Sequence, residues 1–192
     1  VSMEFEKGNS YGFVGPNGCG KSVFFKTLCG YSLLTEGQVI YRGKIIGKEQ
    51  DFIDDAGIVI EEPEFINSLS GLENLKILAE IQKKISEAEI IEVLKQFDLY
   101  EDRNKKVGKY SVGMKQKLRL AQAVMEKPQV LILDEPMNGL DKKSVKKVED
   151  ILKAFVENGG TLLMTSHIEQ QVEACCKIVY EIDGGEILRV TD

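Results

Sequence analysis

One eight-residue stretch, Gly15-Pro16-Asn17-Gly18-Cys19-Gly20-Lys21-Ser22, constrains the fold of this chain more than any other. It follows the apolar run 11–14, which predicts a buried strand, and it precedes a segment that predicts a helix from about Lys21. Glycines let a backbone curl until several N–H groups point at one anion, and a helix start adds the positive end of its dipole. The pattern G-x-x-x-x-G-K-[ST] between strand and helix therefore predicts a nucleotide phosphate site, where Lys21 reaches the β- and γ-phosphates and the Ser22 hydroxyl ligates Mg²⁺.

The rest of the chain alternates short apolar runs with helical patterns, which predicts an α/β fold with a mainly parallel sheet. Strands are predicted at 1–5, 11–14, 57–60, 130–133 and 161–164, and hairpins, which supply an antiparallel β part, at 38–46 and 180–187. Apolar residues at helical spacing predict helices at 72–81 and 90–97. We therefore expect one domain, 1–192, with a P-loop core at about 1–63 and 109–192 and an inserted helical lobe at about 64–108.

Polar residues lie just after two of these predicted strands. Asp134 and Glu135 follow the run 130–133 immediately. We therefore expect Asp134 to lie beside the phosphate loop as a Mg²⁺ partner, and we expect Glu135 to orient or deprotonate a water. His167, the only histidine, follows the run 161–164, where it can contact a γ-phosphate or fix the geometry of that water. The alternatives are an acidic strand end that faces solvent and a surface histidine without a role.

A further polar segment, Tyr110-Ser111-Val112-Gly113-Met114, precedes a helical pattern from 117 to 126. Ser111 can act as the N-cap of that helix. Serine and glycine at a helix start can also form a second anion site. A plain helix cap is the alternative interpretation of this segment taken alone.

Composition excludes several classes of protein. Lys and Arg total 25 against 31 Asp and Glu, and the formal charge of −6 argues against broad binding of nucleic acid. No apolar stretch approaches the ~18 residues of a membrane-spanning helix, so any transport role requires a separate membrane partner. The four cysteines lack metal-ligand spacing, which favours reduced thiols in a cytosolic protein.

In chain order, these motifs resemble those of ABC ATPases over nearly the whole sequence. By that resemblance Asp134 is the Walker B aspartate, Glu135 the catalytic glutamate, His167 the switch histidine, 138–141 the D-loop and 111–115 the signature motif. The family implies ATP and Mg²⁺ as ligands, with hydrolysis coupled to transport. It also implies a head-to-tail dimer with a second ATP-binding subunit, a transmembrane permease subunit, and a place at the cytoplasmic face of the cell membrane.

The sequence departs from the family pattern at several positions. Val112 and Met114 replace the first glycine and the glutamine of the signature, so only Ser111 and Gly113 are carried over. Val23 stands where a hydroxyl residue that can touch the α-phosphate is common. Glu61, within Ile60-Glu61-Glu62-Pro63, takes the place of the Q-loop glutamine, and its carboxylate could ligate Mg²⁺.

The Glu-Glu-Pro and Tyr-Ser-x-Gly-Met-Lys-Gln segments look most similar to antibiotic- and lantibiotic-resistance exporters of Gram-positive bacteria. The aromatic residue on which the family stacks adenine would precede the segment 3–5, so the resemblance implies an N-terminally truncated chain. The rival function is a soluble ABC ATPase that acts on ribosomes or DNA. Such proteins usually carry two cassettes or long coiled coils, and this sequence contains one cassette and no sustained heptads. A regulatory module without turnover is disfavoured because Glu135 and His167 are both present.

Overall fold

The structure is a computed structural model that describes residues 2–61 and 65–190. Within these residues the strands are β1 (Ser10–Val14), β2 (Ile40–Tyr41), β3 (Lys44–Ile45), β4 (Ala56–Val59), β5 (Val130–Leu133), β6 (Thr161–Thr165), β7 (Ile178–Asp183) and β8 (Glu186–Arg189). The helices are α1 (Lys21–Cys29), α2 (Gly71–Gln82), α3 (Glu87–Gln96), α4 (Val112–Met125), α5 (Lys142–Glu157) and α6 (Glu169–Cys175), with a short 3₁₀ helix at Val107–Lys109.

The main sheet has the strand order β4-β5-β6-β1-β7-β8. Its strands from β4 to β7 are parallel, and β8 returns antiparallel to β7. A separate antiparallel pair joins β2 to β3. The predicted α/β fold is confirmed. Because the carboxyl ends of parallel strands share one edge, the residues that follow β1, β5 and β6 lie together there.

The central strands are buried on both faces. All five residues of β6 are buried, and Leu131, Ile132 and Leu133 of β5 are at most 1% exposed. Such strands read as continuous apolar runs because helices cover both faces of a parallel sheet. Tyr11 and Phe13 of β1 belong to the core as well, and a rigid sheet therefore supports the edge that carries the polar residues.

Helices α2 and α3 occupy the predicted helical lobe. Each begins at a capping box, Ser70 with Glu73 and Ser86 with Glu89, in which the serine and glutamate side chains bond reciprocally to backbone N–H groups. Their buried side chains belong to the same apolar cluster as Leu133 of the sheet. The boundary of the lobe stays a prediction, and residue 64 lies outside the described residues.

The structure corrects two local predictions. The described part of the predicted first strand, residues 2–5, pairs with no other described strand. Side chains hold this segment instead: the Phe5 ring lies 4.9 Å from the Tyr11 ring, and the Glu6 N–H donates to the Tyr11 hydroxyl at 2.6 Å. Helix α4 begins at Val112 rather than near 117, because Ser111 is its N-cap. In the part of the chain that the structure describes, no helix is long and apolar enough to cross a membrane.

Candidate nucleotide site at the carboxyl edge of the sheet

The glycine-rich loop joins β1 to α1 at the carboxyl edge of the sheet. A Cβ added to Gly15 would lie 2.3 Å from the carbonyl oxygen of Ile182, so the loop passes too close to β7 for a side chain. Gly18 and Gly20 have φ angles of 81° and 107°, which L side chains rarely adopt. Gly20 is the N-cap of α1, so the unpaired N–H groups of the first helical turn open into the loop. This backbone geometry is that of an anion site.

Lys21 adds a full positive charge inside the loop. Its side chain is largely buried, and Nζ donates to the carbonyl oxygens of Gly15 at 2.8 Å and Pro16 at 3.2 Å. A pocket of about 220 Å³ lies beside it. Six residues of the loop and of the start of α1, Val23 among them, line this pocket together with Asp134 and Glu135. The tertiary fold thus brings the phosphate loop and the acidic strand end into one cavity.

Asp134 is held by hydrogen bonds on both carboxylate oxygens. The Ser22 hydroxyl donates to Oδ2 at 2.5 Å, and the Thr165 hydroxyl donates to Oδ1 at 2.6 Å. Mg²⁺ prefers oxygen ligands and usually takes only one or two from a protein, the rest being water and phosphate oxygens. Ser22 and Asp134 fit that pattern. The absence of any cluster of three or more metal-ligating His, Cys, Asp or Glu residues within 2–61 and 65–190 is compatible with it.

Glu135 lies next to Asp134 with an unusual backbone conformation. Its φ is 49°, in the left-handed region, and its N–H donates to the Thr165 hydroxyl at 2.9 Å. Its Oε2 lies 2.8 Å from Nδ1 of His167. An ionised carboxylate only accepts hydrogen bonds, so Nδ1 carries the proton in this contact. The pair presents a carboxylate oriented by an imidazole, which is the arrangement of a general base and its orienting group.

Glu61 lies apart from these groups. Its carboxylate forms an ion pair with Lys26, one helical turn beyond Ser22 in α1, and its side chain is 66% exposed. The adjoining residues of the predicted Q-loop, Glu62 and Pro63, lie outside the described residues. Glu61 is therefore close to the face of α1 that carries Ser22, and its role as a Mg²⁺ ligand stays a prediction.

Ser111 and Gly113 are not brought to the pocket of their own chain. Ser111 caps α4 by accepting the Met114 N–H at 3.2 Å, as the sequence predicts. A Cβ on Gly113 would lie 3.1 Å from the carbonyl oxygen of Gly139, so glycine lets the start of α4 approach the 138–141 loop. Neither Ser111 nor Gly113 is among the described residues that line the pocket.

Two polar residues of this region were missed by the sequence analysis. Thr165 is fully buried and bonds to both Asp134 and Glu135; its only local signal is a hydroxyl at the end of the apolar run 161–164. Gln116 is 5% exposed, and its Nε2 donates to the carbonyl oxygen of Pro136 at 2.8 Å. Gln116 thereby ties α4 to the segment that follows Glu135. A glutamine at helical spacing from Leu120 and Ala123 was the available signal for it.

Comparisons with known proteins agree with this geometry. A family model described as ABC transporter matches residues 1–138. The ABC transporter ATP-binding protein YybJ of Bacillus subtilis (strain 168) is 37% identical over 187 residues, which are 97% of this chain and 86% of that protein. The lantibiotic transport ATP-binding protein SrtF of Streptococcus pyogenes is 34% identical over 188 residues, 98% of this chain and 81% of that protein.

A solved structure shares the fold. The dimeric, post-hydrolysis state of the ATP-binding cassette MJ0796, bound to ADP and phosphate, superposes with a TM-score of 0.87 and covers 100% of this chain and 90% of its own. At 22% identity this similarity concerns the fold. The chain spans only 61 to 63% of the length of three further ABC transporter ATP-binding proteins of Bacillus subtilis that it matches.

Proposed function

Because this chain belongs to the family of ABC transporter ATP-binding proteins, we propose that it binds Mg-ATP and hydrolyses it to power a transmembrane permease. The observation that carries the proposal is a continuous chain of hydrogen bonds beside the phosphate loop, which joins Ser22, Asp134, Thr165, Glu135 and His167. Ser22 and Asp134 are the oxygen ligands proposed for Mg²⁺, and the adjacent carboxylate of Glu135 is the proposed base; their hydrogen-bonded arrangement supports both assignments.

The residues divide the reaction between binding and proton transfer. The loop N–H groups and Lys21 bind the triphosphate, while Ser22 and Asp134 hold Mg²⁺, which neutralises phosphate charge when it is bound. Glu135 accepts a proton from a water molecule. The oxygen of that water forms a bond to the γ-phosphorus as the bond to the bridging oxygen breaks and ADP departs with the electron pair. His167 keeps the carboxylate of Glu135 in place.

A second ATP-binding subunit completes the site in this proposal. Ser111 is exposed and Val112 is 70% exposed, although they begin a 14-residue helix. The positive end of that helix dipole does not face the nucleotide pocket of its own chain, because neither residue lines that pocket. A head-to-tail partner would place this helix start over the ATP held by the other subunit. The dimeric state of the similar cassette supports this arrangement.

A groove lined by both polar and apolar residues, with exposed apolar side chains at and beside it, supports docking of the permease. It has a volume of about 280 Å³ and lies between the edge strand β4 and the ends of α2 and α4. Leu78 and Ile81 line it from α2, and Ile81 is 75% exposed. Tyr31, which also lines the groove, contacts Phe52 through its ring, and both are more than half exposed. Exposed apolar surface of this kind marks interaction sites, and we assign it to a segment of the permease.

The groove is connected to the nucleotide site through one strand. Residues 55–58 line the groove, and Glu61 lies two residues beyond the end of β4. The Asp134 N–H donates to the carbonyl oxygen of Val59, so β4 contacts the Mg²⁺-binding aspartate directly. A displacement of the groove wall can therefore move Asp134 and Glu61, because the four-residue strand β4 connects them to the groove. In this way ATP state and permease position become coupled.

The transported substrate is proposed to be an antimicrobial peptide or drug that is exported from the cell. The lantibiotic transport name of the relative SrtF supports this class, as do the Glu-Glu-Pro and Tyr-Ser-x-Gly-Met segments. The protein would act at the cytoplasmic face of the membrane. The names of both reported relatives refer to transport, which supports the transporter over an ATPase of ribosomes or DNA.

The proposal is tested with Glu135→Gln, which keeps the shape of the side chain but removes a strong base. We expect the Kd for Mg-ATP to stay within about threefold, whereas phosphate release falls by about 100-fold or more, the usual contribution of a general base. Glu157→Gln, the same change at the exposed end of α5, is the control. Light scattering should show the Glu135→Gln protein accumulating as an ATP-bound dimer. Wild-type rates of phosphate release in this variant would contradict the assigned base.

A further inference from the structure

We propose that Thr165 is a positioning residue for ATP hydrolysis, whose single hydroxyl aligns the Mg²⁺-binding carboxylate of Asp134 and the backbone of Glu135 together. This inference rests on the proposed function of the site. Thr165 belongs to none of the motifs recognised in the sequence. Thr165 does not itself line the nucleotide pocket, so it acts through its two acidic neighbours, which do.

The directions of both hydrogen bonds follow from the chemistry of the partners. A carboxylate can only accept, so the one hydroxyl proton of Thr165 goes to Oδ1 of Asp134 at 2.6 Å. A backbone N–H can only donate, so the hydroxyl oxygen accepts from Glu135 at 2.9 Å. Thr165 is 0% exposed, and water does not compete for these bonds. The hydroxyl therefore has one rotamer that satisfies both partners.

The sheet register places this hydroxyl between the two acids. Leu133 pairs with Met164 in the β5–β6 ladder, so the next residues along each strand, Asp134 and Thr165, are neighbours. Ser22 occupies the other oxygen of Asp134, and the carboxylate is thereby held from two sides. Loss of the Thr165 hydroxyl would leave Oδ1 with one donor fewer in a half-buried position, which is unfavourable.

Glu135 needs such an anchor more than an ordinary residue. A φ of 49° is unfavourable for a side chain other than glycine, and it persists only where the surroundings hold it. The bond from the Glu135 N–H to Thr165 holds this conformation at its amide end. His167 holds only the far end, at Oε2. Without Thr165, the carboxylate loses its fixed direction relative to Asp134, and the alignment of the water with the γ-phosphate is lost.

The same strand offers a matched control. Thr161 begins β6, is 5% exposed, and its hydroxyl accepts the Gly8 N–H at 3.0 Å. Thr161→Val and Thr165→Val make the same chemical change at opposite ends of one buried strand. Only Thr165 bonds to the acidic residues. If the variants act only by weakening the strand, they should lower kcat by similar factors; if Thr165 positions the acids, only Thr165→Val should lower kcat strongly.

The experiment compares Thr165→Val, Thr165→Ser and Thr161→Val in the full chain. We expect Thr165→Val to lower kcat by tenfold or more while the Kd for ATP stays within threefold. Thr165→Ser, which keeps the hydroxyl, should retain kcat within threefold, and Thr161→Val within twofold. Combined with Glu135→Gln, Thr165→Val should lower the residual rate by a smaller factor than it lowers the wild-type rate, because the part of its effect that acts through the Glu135 carboxylate is already lost.

A readout without nucleotide tests the structural step by itself. Hydrogen exchange of the Glu135 amide in the ATP-free protein should be at least tenfold faster in Thr165→Val than in wild type or Thr161→Val. Thr165→Ala is measured in parallel, and either variant that folds decides the outcome. A kcat within twofold of wild type, or unchanged exchange at Glu135, overturns the inference. If wild-type protein fails to hydrolyse ATP, the proposed function fails instead.

Discussion

The replacement Lys21→Ala tests the phosphate loop most directly. Lys21 is the only ammonium group that lines the described nucleotide pocket, and its side chain is 7% exposed. The variant removes that charge and leaves the glycine backbone of the loop in place. ATP binding should weaken strongly, because a triphosphate would then be held by N–H groups and Mg²⁺ alone.

The magnitude follows from charge and burial. Two unit charges about 4 Å apart at an effective dielectric constant near 20 attract by about 4 kcal/mol. Part of this gain is offset, because Nζ already donates to Gly15 and Pro16, and a charged hydrogen bond of that kind contributes about 1.5–3 kcal/mol. The remainder of about 2 kcal/mol corresponds to a loss in affinity of roughly 30-fold. If Lys21 keeps its bonds to the two carbonyl oxygens when ATP binds, less of the attraction is offset, and the loss in affinity approaches about 1000-fold.

Isothermal titration with Mg-ATP measures this loss, and thermal unfolding of the same sample shows whether the variant is folded. Lys44→Ala, at an exposed position of β3, removes the same charge at a distance from the loop and should leave the Kd unchanged. Lys21→Met keeps most of the aliphatic stem if the alanine variant is unstable. A folded variant whose Kd lies within threefold of wild type would refute the assignment of this loop to ATP.

Three further perturbations follow from the structure. Glu61→Ala should reduce the stimulation of ATPase activity by the reconstituted permease more than it reduces ATP affinity; full stimulation would remove Glu61 from the coupling path. Iodoacetamide should label half-buried Cys19 in the native protein, and bound ATP should protect this thiol. Burial raises the pKa of the other three thiols, so they should stay unlabelled. Peptide mass spectrometry measures the labelling of each cysteine. Glu89 has its pKa lowered to about 2, chiefly by the hydrogen bond from Lys127 and then by the N–H of Ser86. Its stabilising effect is present above the ordinary value of 4.5 and is lost as the pH falls toward 2. Because both side chains are exposed and solvent screens the pair, Lys127→Ala should shift acid unfolding only slightly to higher pH, measured by circular dichroism.

Local sequence determined the parts of this protein whose chemistry is local. The glycine positions of the phosphate loop could be recognised in the sequence, because glycine readily adopts φ angles such as 81° and 107° that other residues rarely adopt. Asp134, Glu135 and His167 could be placed at one edge because each follows a continuous apolar run, and parallel strands end together. Ser111 was identifiable as a helix cap because its partner, the N–H of Met114, is three residues away. In each case the residues that set the geometry are neighbours in the chain.

Tertiary structure decided whatever depends on partners far apart in sequence. Thr165 bonds to an aspartate 31 residues away, and its role arises from strand register, which no local pattern of β6 contains. Glu61 pairs with Lys26 because β4 ends beside α1, and the segment 2–5 pairs with no described strand because side chains hold it on Tyr11. The free energy of a hydrogen bond or an ion pair depends on where the fold brings its second partner and on how much water the fold removes. A linear pattern specifies which side chains can bond, and packing selects the pairs that do.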